Sequence, residues 1–199
     1  MTSATWVAPE DIAGRLEGRA CDHWRMSAAI EVTERGRTIA FTFEDLMRYH
    51  GAGSPGGVAI AFKVLQRALP LLNPTDLCER RELTVETAFA GPGARDAFEL
   101  VTRAVTGDRF HVDPALARPE RGPALERFVF RLSYRDESVT VQLREGFVTD
   151  EFAALARTEN RTPDQERRLD QLKLDLAERV MAQPAEDVVE PLAPGPGRT

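Results

Sequence analysis

Tyr49-His50-Gly51-Ala52-Gly53-Ser54-Pro55-Gly56-Gly57-Val58 is the stretch on which the reading of this chain turns. Ser54 suits a helix N-cap, because its hydroxyl can accept a bond from a free amide of the first turn. Pro55 suits the first helical position, where a missing N–H costs nothing. Val58, Ala61, Phe62, Leu65, Leu69 and Leu72 then recur at helical spacing, so a helix over Pro55–Leu72 is expected with one face in the core, kinked or stopped near Pro70. Gly56 and Gly57 fall in its first turn, where helix propensity alone would not place them. Glycines there can leave amides bare at the positive end of the helix dipole, which suits an anion or a carbonyl oxygen. His50 lies just upstream on a turn made supple by Gly51 and Gly53, where an imidazole can serve as acid, base or ligand. The competing account is a glycine turn that lets two helices pack closely, with His50 an ordinary polar residue.

Outward from this stretch the chain alternates strands and helices. Residues 26–43 read as a hairpin: Ala28, Ile30 and Val32 alternate with Ala29, Glu31 and Thr33, Glu34-Arg35-Gly36-Arg37 turns, and Ile39, Phe41 and Phe43 alternate again. A short helix over 42–50 follows, ended by Gly51 and Gly53. Residues 83–89 alternate as a strand, and Ala90-Gly91-Pro92-Gly93 turns into a second striped helix over 94–105, with Gly107 as its C-cap. Residues 108–112 predict a short strand or loop, 113–123 a proline-rich surface loop, and 128–134 with 139–143 a second hairpin. A short helix is expected over 149–157. Thr162-Pro163-Asp164-Gln165 reads as a capping box opening a helix lined by Leu169, Leu172, Leu176 and Val180. That stripe fits packing on the domain or pairing with another copy of the chain. The expected fold is therefore α+β: helix, strand, helix, then an antiparallel hairpin, in a mixed or antiparallel sheet covered by helices, with a C-terminal helix. The expected organisation is an N-terminal arm over 1–22, one domain over 23–183, and a disordered Pro-, Gly- and acid-rich tail over 184–199.

Composition bounds the function. The 199 residues are 42% hydrophobic and 29% charged, which suits one soluble globular domain. A net charge of -6, with no basic run interleaved with aromatics, argues against nucleic acid as a partner. No apolar stretch is long enough to cross a bilayer, and no signal-peptide pattern opens the chain. Cys21 and Cys78 lie far apart and form no CxxC pair, so free thiols in a cytoplasmic setting are expected. Frequent Arg, Ala and Pro point to a bacterial source.

The middle of the chain resembles the E-subunit family of formylmethanofuran dehydrogenase. That family carries an HGHxCPG motif running into a long helix, and His50-Gly51-Ala52-Gly53-Ser54-Pro55-Gly56 is similar. Its next helix opens with Cys-x-x-Asp-Ala, which Gly93-Ala94-Arg95-Asp96-Ala97 resembles. The helix ends in a V-T-G-C-T-x-G pattern, similar to Val101-Thr102-Arg103-Ala104-Val105-Thr106-Gly107. A closing hairpin corresponds to 128–143, and the likeness covers about residues 43–147. The resemblance implies a multi-protein setting and a metal, commonly zinc, held by the motif His and Cys residues. This chain departs from that ligand set: Ala52 stands for the second His, and Ser54, Gly93 and Ala104 stand for cysteines. One His cannot hold a soft divalent metal that wants three or four ligands, so no metal is expected at that position and the cofactor stays unknown.

The residues that bear chemistry are then His50 and His111 as candidate acid–base groups, with Tyr49, Ser54, Gly56, Gly57 and Arg95 as candidate substrate contacts. His111, with Asp96, Asp108 or Asp113, could join His50 in a rebuilt metal site, or could be a partly buried strand histidine. Ser54 could be a nucleophile if His50 reached it. Arg103 and Arg131 are further cations able to meet a carboxylate or phosphate. The first reading is a small-molecule-binding protein acting as an enzyme, with His50 moving a proton and the Ser54–Gly57 helix tip holding an oxygen. The alternatives are a non-catalytic accessory or ligand-sensing subunit, and a metal protein with a His50/His111 site. A homodimer is the expected assembly.

Overall fold

The first hairpin forms around a turn that its residues dictate. The computed structural model describes residues 29–193. Strands β1 (Ile30–Glu34) and β2 (Arg37–Phe41) pair antiparallel across Arg35-Gly36. Both turn residues lie at positive φ, 53° and 76°, the backbone twist that matches the strands of a two-residue hairpin. Residues 26–28 of the expected hairpin lie outside the described residues, as does the expected arm over 1–22. Helix α1 (Phe43–His50) starts at a capping box: the Thr42 hydroxyl accepts from the Asp45 amide at 3.2 Å, and the Asp45 carboxylate accepts from the Thr42 amide at 2.9 Å. It ends where Gly51, at φ 81°, donates its amide to the Met47 carbonyl.

Helix α2 (Pro55–Leu72) is the axis of the molecule. Val58, Ala59, Ile60, Ala61, Phe62, Val64 and Leu65 are all inaccessible to solvent, so the helix is buried around its circumference and not along one stripe. Pro70 does not stop it, because the Pro falls in the last turn and Asn73 still donates to the Leu69 carbonyl. The five-stranded sheet has the order β4-β3-β5-β6-β7, built from β3 (Leu83–Thr87), β4 (Phe110–Val112), β5 (Val129–Tyr134), β6 (Glu137–Leu143) and β7 (Val189–Pro191). Only β3 and β4 are parallel, and helix α3 (Pro92–Thr102) makes the crossover between them. Phe98 of α3 meets Phe110 and Phe130 with ring centroids 6.1 and 5.9 Å apart, which fixes α3 on the core face of the sheet. The fold class is α+β, as the alternation of patterns predicts.

Several details differ from the expected ones. Helix α3 ends at Thr102, not Val105, because Arg103 adopts a left-handed conformation at φ 54° and closes the helix before Gly107. Helices α4 (Asp150–Arg157) and α5 (Pro163–Met181) form where expected, the second opened by the Thr162/Gln165 capping box. The leucine stripe of α5 is then consumed inside the chain. Leu169, Leu172, Leu176, Ala177 and Val180 are buried, and Leu176 packs on Gly56 of α2, so the stripe offers no face to a second copy. The expected tail over 184–199 is corrected for its described part. Helix α6 (Ala185–Val188) and strand β7 complete the sheet, with Val188 and Val189 inaccessible. Glu190 accepts from Gln142 at 2.8 Å and pairs with Arg144 at 2.7 Å. Acidic, proline-rich composition hides this Val-Val pair, whose apolar area is enough to dock a short strand. Residues 194–199 lie outside the described residues.

Candidate functional site

Two helix N-termini and one helix C-terminus converge at the motif. α1 delivers His50 at its last position; α2 and α3 each begin with a proline followed by glycine. Close approach explains those glycines. A Cβ on Gly93 would overlap the Ser54 carbonyl oxygen and lie 3.0 Å from the Val58 nitrogen. A Cβ on Gly57 would lie 3.2 Å from the Ala94 nitrogen, and one on Gly56 2.8 Å from Cδ2 of Leu176. The helix tip expected to bear open amides is therefore covered by protein. The Gly57 and Val58 amides both return to the Ser54 carbonyl, at 3.1 and 3.3 Å. Ser54 occupies the N-cap position but its hydroxyl makes no capping bond, contrary to expectation.

The partner of the histidine is one of the three aspartates that the sequence left open. His50 Nδ1 lies 2.8 Å from Oδ2 of Asp96, on α3. The imidazole is 8% exposed and the Asp96 side chain 30%. A carboxylate only accepts, so in the neutral ring Nδ1 carries the proton and Nε2 holds the lone pair. Nε2 is buried and has no hydrogen-bond partner among the described residues. Gly53 lies beside it: a Cβ there would sit 3.9 Å from Nε2. Arg95 places its guanidinium 3.6 Å from the other Asp96 oxygen and is half exposed, and Tyr49, the residue before His50, is 48% exposed. Tyr49, His50, Ser54, Arg95 and Asp96 thus share one end of the helical layer.

His111 does not belong to this group. Phe110 points into the core, so His111 projects from the opposite face of the sheet, in register with Glu86 and Arg131. There Glu86 takes the Arg131 fork at 2.6 and 2.9 Å, so Arg131 is already engaged. The sheet stands between the two histidines, and the rebuilt His50/His111 site does not form. Among the described residues no three His, Cys, Asp or Glu side chains are grouped to hold a metal ion. Ser54 is not paired with His50, because Nδ1 is taken by Asp96 and Nε2 has no partner. Cys78 is buried, which pushes its thiol up to about 11 and keeps it un-ionised.

The far end of α3 is locked by charged side chains, which fixes the helix carrying Asp96. Arg80 is buried and donates to the carbonyls of Val101, at 2.7 Å, and Leu100, with its guanidinium over the Phe41 ring. Arg109 donates to the carbonyls of Arg103, Thr102 and Leu83. Glu99 accepts from the Val105 and Thr106 amides at 2.8 and 3.0 Å and from the Thr106 hydroxyl. Burial raises the Glu99 carboxyl, but these bonds and Arg103 outweigh it and hold the group below the usual glutamate range.

No helix among the described residues is long and apolar enough to cross a membrane. No protein-family model matches the chain, and no curated protein matches it.

Proposed function

We propose that the protein binds a small anionic or carbonyl-bearing molecule beside His50 and acts on it by general acid–base chemistry through the His50–Asp96 pair. The observation that carries this reading is a buried imidazole with one nitrogen held by a carboxylate and the other left without a partner. A buried polar atom without a partner is uncommon and calls for an explanation. A ligand atom at Nε2 supplies one: the ring would accept a proton there, and Asp96 would fix the tautomer and stabilise the imidazolium. The positive ends of α2 and α3 and the Arg95 guanidinium favour a negative or electron-rich group nearby. The helix tip contributes its dipole; most of its amide surface is already used. A ligand reaching Nε2 requires the backbone at Gly53 beside it to give way. The likeness to the formylmethanofuran dehydrogenase family supports the same pair, since His50 and Asp96 stand at two positions of its motifs while the cysteine positions differ.

The burial of Nε2 also favours a second reading, a ligand sensor in which binding displaces the backbone at Gly53 and no turnover follows. Thermal shift of wild type and His50→Ala against a metabolite panel tests the shared step. A compound that stabilises wild type and not His50→Ala is the expected result; identical shifts in both remove the His50 site. Incubating that compound with the protein and assaying for product then separates enzyme from sensor.

A further inference from the structure

We infer that Lys63 and Arg67 form a second site, built to bind one carboxylate or phosphate group on the face of α2 that meets α5 and α6. Gly56, Ile60, Lys63 and Arg67 follow one another at spacings of four, three and four, so they share that face. Leu176 of α5 seats on Gly56 at its start. Further along, Glu186 of α6 supplies the opposite charge that acts on Lys63. The site lies about 14 Å along the helix from Ser54, at 1.5 Å per residue, and shares no residue with the His50 group.

Lys63 is 3% exposed. Among the described residues it makes neither a hydrogen bond nor an ion pair, and its ammonium is held below the usual lysine range by burial, with the Glu186 field opposing. One turn on, Arg67 is partly buried, and its Nε is fully buried and also lacks a partner. Two such cations at i and i+4 repel each other, and cations set largely among protein atoms gain from a counter-charge even where their tips reach solvent. Lysine can escape by losing its proton. Arginine cannot, because its guanidinium stays charged throughout the accessible pH range. Deprotonating Lys63 would leave Arg67 with water as the partner of its outer nitrogens and nothing at Nε, whereas one bound oxyanion meets both side chains. Cβ atoms one helical turn apart lie about 5–6 Å from each other, so two long cationic side chains there can converge on the oxygens of one carboxylate or phosphate. Glu186 is exposed and forms no ion pair with Lys63, so it competes weakly with such a ligand.

The test is calorimetric titration of the full chain with sodium phosphate and with sodium acetate, chloride holding ionic strength constant. Wild type, Lys63→Met, Arg67→Gln, Glu186→Gln and His50→Ala are compared. The expected result is saturable binding of one of the two anions to wild type and to His50→Ala, with at least tenfold weakening in Lys63→Met and Arg67→Gln. Glu186→Gln binds several-fold more tightly, because the competing carboxylate is gone. Which anion binds identifies the ligand group. No saturable heat from either anion in wild type overturns the proposal, as does unchanged affinity in Arg67→Gln or weaker affinity in Glu186→Gln. Should Lys63→Met fail to fold, the Arg67 and Glu186 variants decide the matter alone.

Discussion

At the scale of single residues, the account rests on what each side chain can give or accept. Gly93 has the sharpest steric requirement, since any Cβ there meets backbone atoms of Ser54 and Val58 that cannot swing away. Gly93→Ala is expected to lower stability by about 1–3 kcal/mol, the usual cost of overpacking, measured by denaturant titration. Gly53→Ala should fold normally, because its Cβ makes an ordinary contact with His50. Glu99 sets a pH dependence. Its folded carboxyl lies below the ordinary range, so the stability it contributes is present above the ordinary glutamate value and is lost as pH falls through the folded one. Wild type should therefore lose stability more steeply than Glu99→Gln between about pH 5 and the acid transition. Equal slopes would show that the Val105 and Thr106 contacts contribute nothing. Cys78, buried and un-ionised, should react with a thiol reagent only as fast as the protein opens. Rapid labelling of Cys78 in the native state would contradict its placement.

At the scale of elements, the C-terminal strand makes the clearest claim. β7 pairs with β6 through Leu143 and Val189, and the two inaccessible valines close the edge of the core. A chain ending at Gln183 loses both, at about 1.5–3 kcal/mol for each buried side chain. Its midpoint in urea should fall accordingly, and an unchanged midpoint would mean that β7 adds nothing to the fold. Helices and hairpins were legible wherever a local rule sufficed: the capping boxes at Thr42 and Thr162, the Arg35-Gly36 turn, and the alternation through Val85 and Leu132. β7 was not, because three residues carry no period and its pairing partner lies far away in the chain. The circumferential burial of α2 was also hidden, since a stripe of leucines marks the most apolar face and says nothing of what covers the others.

At the scale of the whole molecule, the site is a product of topology. His50 and Asp96 are 46 positions apart and meet only because the crossover helix between two parallel strands lands on the start of α2. In the sequence His50 and the glycines stand side by side, and Arg95 entered only as a candidate contact for an anionic group. The sequence could not show that the glycines serve close packing, because a bare amide and a crowded one have the same sequence. Nor could it separate His111 from His50, which takes the sheet's register to decide. The central claim is that His50 presents an unprotonated Nε2 to a ligand while Asp96 holds Nδ1. Long-range proton–nitrogen NMR of the His50 ring reads this directly. In its neutral form the ring should show the Nδ1-protonated tautomer, lost in Asp96→Asn, with the Nε2 resonance moving when a stabilising compound binds. A ring protonated at Nε2 in the wild-type protein, or an Nε2 resonance indifferent to every such compound, would contradict it.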